Sequence, residues 1–216
     1  MYKYFIFDLD GTLVNTLTDL KNGMNRMLRD LSFPEVDENG VLKAINHGVV
    51  EFVRGCLPEG KRSDEELLSQ ALAIYQGYYA EEYLKTSHPY PCVPSVLEHF
   101  KSKGVKMAVF SNKQDNMTKA ICNKLFPNFF IEVLGGRTGR FEHKPSPEGA
   151  LYIAEQMGAS PDEVAFVGDS DVDMKTAINA GMHPIGVSWG YRPAELLSEL
   201  GAEYIITDEE SFKSLV

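Results

Sequence analysis

Cysteine is scarce in this chain, and its few copies carry no pattern. Cys56, Cys92 and Cys122 are the only three. They form no short-spaced metal-binding pair, and an odd count leaves at least one thiol unpaired within the chain. A disulfide scaffold and a cysteine zinc site are therefore excluded, and a reduced compartment fits best. Positive charge is also short: 21 Lys and Arg face 31 Asp and Glu, a formal charge of -10. That balance disfavours nucleic acid and anionic membranes as partners, so an anionic small molecule would have to be met by cations gathered locally. Apolar runs stay below the roughly 20 residues that span a bilayer, and the first strand begins within a few residues of Met1. No membrane span or signal peptide is expected, and the expected location is cytoplasmic. Internal repeats and low-complexity tracts are missing too. With 44% hydrophobic residues, the chain can nevertheless bury one substantial core and a smaller second unit.

The most informative stretch is Tyr4-Phe5-Ile6-Phe7-Asp8-Leu9-Asp10-Gly11-Thr12-Leu13. An aromatic and β-branched run that stops at acid, Leu, acid, Gly, Thr reads as a buried parallel strand carrying two carboxylates to its carboxyl end. Open α/β sheets bind ligands at that end. Residues two apart on an extended chain face the same side, so Asp8 and Asp10 can share one site, and two such charges call for a proton or a cation between them.

Residues 15 to about 85 read as helix throughout. Leu17, Leu20, Met24, Met27, Leu28 and Leu31 have helical spacing. Further helices are expected over about 38–46, 49–57 and 64–83, the last capped by Ser63 or Asp64, with Leu67, Leu68, Ala71, Ile74, Tyr75 and Tyr78 on its apolar face. A proline-rich stretch, residues 86–94, leads back. Strands are then expected over about 105–110, 130–134, 164–167, 184–188 and 204–206, alternating with helices. This pattern predicts a doubly wound parallel sheet, residues 1–14 and 88–216, with an all-helical domain, residues 15–87, inserted after its first strand.

Polar groups stand at four strand ends or loops: Asp8 with Asp10, Ser111 with Asn112, Lys144, and Asp169 with Asp173. In a parallel sheet they converge on one edge. Asp8, Asp169 and the Asp10 carbonyl offer oxygen ligands to a hard cation such as Mg2+, and the Ser111 hydroxyl and Lys144 ammonium offer donors to phosphate. Asp171 reads as a solvated or capping residue, and Trp189 as a packing residue.

Asp8-Leu9-Asp10-Gly11-Thr12, Ser111, Lys144 and Gly168-Asp169-Ser170 with Asp173 resemble, in order and from end to end, the four signature motifs of the haloacid dehalogenase superfamily. The resemblance implies a Rossmann-like core with a helical C1 cap that closes over the site and excludes water. It implies that Asp8 is the nucleophile, forming an aspartyl phosphate, and Asp10 the general acid and then base. Lys144 would steady Asp8 and the phosphoryl group, Thr12, Ser111 and Asn112 would bind substrate, and Asp169 would ligate the metal with Asp173 behind it. The superfamily's dehalogenases lack the second carboxylate, so Asp10 favours a phosphatase. Within that branch, Asn46-His47-Gly48 with Arg54, the turn at Gly135 and Gly136, and Val187-Ser188-Trp189-Gly190-Tyr191-Arg192 resemble phosphoglycolate phosphatases. His47 and Arg54 are the expected substrate contacts from the helical domain. Cys92 stands where the related linker often has Gly, and Arg137 and Arg140 add charge before Lys144. A small phosphate ester is the expected substrate, with 2-phosphoglycolate first. A β-phosphoglucomutase-like mutase and a pyrophosphatase are alternatives on the same core, and a receiver-like phospho-acceptor is the alternative of another class.

Overall fold

The computed structural model describes residues 1–136 and 141–216. Two compact units divide the chain: Met1–Val14 with Pro89–Val216, and Asn15–His88. Strand β1, Tyr4–Phe7, opens the first unit, and the chain crosses between units at two short paired strands, β2 (Val14–Asn15) and β3 (His88–Pro89).

Four helices make the second unit: α1 (Leu17–Asp30), α2 (Glu38–Ala44), α3 (Val49–Cys56) and α4 (Glu65–Glu82). Asp37 caps α2 by accepting from the Gly40 N–H at 2.8 Å, and Asp64 caps α4 by accepting from the Leu67 N–H at 3.0 Å; each satisfies one orphan donor of a first turn. Helix α1 buries Leu20, Met24, Met27 and Leu28. The buried face of α4 is Leu68, Ala71, Tyr75 and Tyr79. The predicted stripe was thus slightly out of phase: Leu67, Ile74 and Tyr78 are only half-buried. Tyr75 and Tyr79 stack with centroids 5.5 Å apart, whereas Tyr78 donates to Asp30 and lies under the Arg26 guanidinium. Aromatic residues repeat at 75, 78, 79 and 83, so sequence spacing alone did not choose between neighbouring faces.

The first unit continues with α5 (Val93–Ser102), β4 (Lys106–Gln114), α6 (Asp115–Leu125), β5 (Glu132–Gly136), α7 (Glu148–Met157), β6 (Val164–Gly168), α8 (Asp171–Ala180), β7 (His183–Val187), α9 (Ala194–Glu199), β8 (Tyr204–Ile206) and α10 (Glu209–Lys213). Helix α5 takes Pro94 into its first turn, where no N–H is needed. Strand β4 runs four residues past Phe110, through Ser111, Asn112 and Lys113, with a shift of register against β5.

The sheet order is β5-β4-β1-β6-β7-β8, all parallel. From β1 the chain steps out through β4 to β5, then returns to the other side of β1 with β6, so β1 lies at the topological switch. Phe7 stands opposite Val109 on one neighbour and Val167 on the other, which brings the ends of β1 and β6 level. Alternation along β1 feeds two cores. Ile6 joins Phe110, Phe166, Ile153 and Met157 on one face; Phe5 and Phe7 meet Phe100 and Phe212 on the other. Fully burying such a side chain stabilises by about 1.5–3 kcal/mol. Those paired cores clamp the strand whose last residue precedes Asp8.

Candidate active site

The ladder carries one step beyond β1, where the Asp8 N–H donates to the Val167 carbonyl at 2.9 Å. The chain then turns sharply. The Leu9 carbonyl accepts from the N–H groups of Leu13 and Val14 at 3.0 Å each, and Gly11 takes φ 86°, a left-handed conformation that L side chains resist. Thr12 points inward. Fully buried, it donates its hydroxyl to Asp169 Oδ1 at 3.0 Å, and its carbonyl accepts from Trp189 Nε1 at 3.1 Å. Thr12, expected at substrate, thus orients a carboxylate, while Trp189 both packs and pins the turn.

Asp8, Asp169 and Asp173 are buried, with carboxylate oxygens within 4.8 Å of one another. Lys144 Nζ lies 2.8 Å from Asp8 Oδ1 and 2.5 Å from Asp173 Oδ1. Asp169 Oδ2 accepts from the Tyr191 N–H at 2.7 Å. Asp173 Oδ2 accepts from the Ser170 N–H at 3.1 Å and the Ser170 hydroxyl at 2.5 Å, and the same pair caps α8. A Cβ added at Gly11 or Gly190 would collide with the Asp169 side chain from either direction, so the slot around that carboxylate is built from glycine backbone.

Burial pushes Asp8 up to about 7, against the pull of Lys144 and with repulsion from Asp173 and Asp10. Burial likewise holds Asp169 well above the usual carboxylate range, reinforced by Asp173 and Asp8, although Tyr191 and Thr12 donate to it. For Lys144, burial favours the neutral amine, but Asp173 and Asp8 reverse this and raise its pKa. With Asp10 and Lys113 included, four carboxylates face two ammonium groups. A divalent cation would offset that formal excess. Asp8 Oδ1 has its ion pair but no aligned hydrogen bond, which leaves a lone pair for such an ion. The donor set is all oxygen, as hard divalent cations prefer.

Asn112, expected as a substrate contact, bonds the Lys144 backbone. Its amide donates to the Lys144 carbonyl at 3.0 Å and its carbonyl accepts from the Lys144 N–H at 2.8 Å. This reciprocal bond ties the end of β4 to the residue that supplies the ammonium. Ser111 is buried, and its hydroxyl accepts from the Lys113 N–H at 3.2 Å. Lys113 was not singled out in the sequence; its Nζ contacts Asp10 Oδ1 at 2.9 Å and Oδ2 at 3.1 Å. No spacing rule reveals such a partner, because its reach depends on β4 extending past Ser111. The role of Ser170 was more legible, since Ser170 and Asp173 have the spacing of a capping pair. Asp171, expected as a solvated or capping residue, lies in the first turn of α8 and pairs with Lys175 at 3.0 Å.

In the helical unit, Arg54 is engaged internally, bonding Glu65 at 2.8 Å, Glu51 at 3.3 Å and the Arg62 carbonyl at 2.8 Å. His47 is exposed. Arg137 and Arg140 lie outside the described residues.

Comparison with known proteins agrees with this geometry. The haloacid dehalogenase-like hydrolase family profile matches residues 5–187. A phosphoglycolate phosphatase of Pseudomonas putida is 32% identical over 210 residues, covering 95% of this chain and 76% of its own length. One from Aquifex aeolicus is 33% identical over 190 residues, covering 88% and 86%. Among solved structures, a predicted phosphoglycolate phosphatase from Haemophilus somnus superposes with TM-score 0.88 at 30% identity, covering 99% of this chain and 96% of that one. The buried aspartate cluster at the ends of β1 and β6, the parallel sheet and these likenesses together establish that the chain belongs to the haloacid dehalogenase-like hydrolase family.

Proposed function

We propose that this hydrolase is a Mg2+-dependent phosphomonoesterase that works through a phosphorylated Asp8 and takes 2-phosphoglycolate as its substrate. The observation that carries the reading is the meeting of Asp8, Lys144, Asp169 and Asp173 in one buried cluster. The substrate assignment draws on the relatives that are 32% and 33% identical. Asp8, the Asp10 carbonyl and Asp169 would hold the cation, which supplies positive charge to the phosphoryl oxygens and relieves repulsion among the acids.

Asp8 attacks phosphorus as the bond to the leaving oxygen breaks, and Asp10 gives that oxygen a proton. Asp10 then takes a proton from water, whose oxygen attacks phosphorus and frees Asp8 and inorganic phosphate. Lys144 offsets charge on Asp8 and on the phosphoryl group, and the Ser111 hydroxyl donates to a phosphoryl oxygen. Asp173 holds Lys144 in place. Thr12 and Tyr191 fix the Asp169 carboxylate. Asn112 sets the Lys144 backbone. The helical unit is the cap in this reading.

The test is phosphate release from a panel of phosphorylated metabolites, with Mg2+ and with EDTA. Hydrolysis of 2-phosphoglycolate at the highest kcat/KM, lost in EDTA, is expected. Turnover that EDTA leaves intact overturns the metal assignment, and a better substrate elsewhere in the panel overturns 2-phosphoglycolate.

A further inference from the structure

Among the described residues, Lys113 is a buried cation of the site that the mechanism above leaves without a task. Its side chain is 6% exposed and that of its partner Asp10 13%, and the ammonium reaches both carboxylate oxygens at 2.9 and 3.1 Å. The backbone of Lys113 is held on both sides: its N–H donates to the Ser111 hydroxyl at 3.2 Å and its carbonyl accepts from the Thr118 hydroxyl at 3.2 Å. A lysine side chain has four rotatable bonds, and such anchoring gives its head a fixed origin. Strand β4 thus reaches across to the β1 turn and grips the residue that must move protons.

We propose that Lys113 is a positioning residue, whose ammonium holds the Asp10 carboxyl in the orientation from which it protonates the leaving oxygen. This rests on the phosphatase reading above. In the step concerned, an Asp8 oxygen bonds to phosphorus and the bond from phosphorus to the leaving oxygen breaks, its electron pair staying on that oxygen. The Asp10 proton moves to the same oxygen, leaving a carboxylate whose charge the ammonium meets. One Asp10 oxygen can stay bound to Lys113 while the other carries the proton. A wandering carboxyl would forfeit part of the proximity advantage.

Leaving oxygens differ in how much they need that proton, and this separates positioning from general damage. The experiment measures kcat/KM, which reports the phosphoryl-transfer step, for 4-nitrophenyl, phenyl and 4-methoxyphenyl phosphate, and for 2-phosphoglycolate, in the wild type, Lys113→Met and Lys113→Arg. The slope of log kcat/KM against leaving-group pKa is independent of how much of each preparation is folded. For Lys113→Met we expect a loss of under about 3-fold on 4-nitrophenyl phosphate and of about 30-fold on phenyl phosphate, within the range of acid catalysis. Lys113→Arg, keeping the charge, restores the wild-type slope. Equal losses across the aryl series, or none, overturn the proposal. A loss confined to 2-phosphoglycolate also overturns it, making Lys113 a direct contact to the substrate carboxylate. A wild type inactive on all four esters overturns the phosphatase reading itself, and this inference with it.

Discussion

Asp8 in the sheet unit and Asp19 in the helical unit are both buried carboxylates, and the protein treats them in opposite ways. Asp19 accepts from the N–H groups of Thr86 and Ser87 and from both their hydroxyls, at 2.6–3.2 Å. Burial opposes its charge, but those donors prevail and hold its pKa below the usual range. Asp8 instead faces one ammonium and further acids, and burial pushes it up to about 7. A carboxylate that only holds structure is saturated with donors. One to which the proposed mechanism gives the chemistry is left short of them, and the packed sheet around it bears the cost.

Substitution at each aspartate sharpens this contrast. The largest effect is expected for Asp8→Asn, which should lower turnover of an aryl phosphate by about 10⁴-fold or more, by analogy with losses of other nucleophiles. Its circular dichroism should remain that of the wild type; a variant that keeps its activity would break the contrast at once. Asp19→Ala should instead destabilise the helical unit by about 2–4 kcal/mol, because four donors, two on Thr86 and two on half-buried Ser87, lose a charged acceptor. Urea unfolding followed by hydrogen exchange in α1 and α4 reads this, and a loss under about 1 kcal/mol would show that water replaces the carboxylate. The smallest effect is one of pH. The folded pKa of Asp19 lies below its unfolded value near 3.9, so its stabilisation is complete above that value and is lost as pH falls through the folded one. Between pH 5 and 2 the wild type should therefore lose more stability than Asp19→Asn, and parallel curves would contradict the assignment.

Much of this contrast was legible in sequence. The strand preceding Asp8 and the one preceding Asp169 are apolar runs cut short by acid, so polarity alone marked where they end. Parallel alternation then brought both ends to one edge. Asp173 and Lys144 joined them through the resemblance to the superfamily's signature motifs. Residues whose roles arise from tertiary reach were hidden. Asn112 and Lys113 act because β4 persists beyond Phe110 with a shifted register, and Thr12 turns inward because Gly11 reverses the chain. Helix α10, at five residues, was too short to display a period. The choice of Tyr79 over Tyr78 required knowing which side of α4 its neighbours occupy. Asp19 looked like any helical acid, since its donors are 67 and 68 residues away.

The glycine slot around Asp169 has a further meaning. With Gly11 and Gly190 backbone pressed on the side chain and donors on both oxygens, this carboxylate has little rotational freedom left to lose. Its ordering is completed once, when the chain folds. In the metal site proposed above, such a ligand would trade adaptability for speed: it would accept an ion without a search and have little room to follow one of a different size.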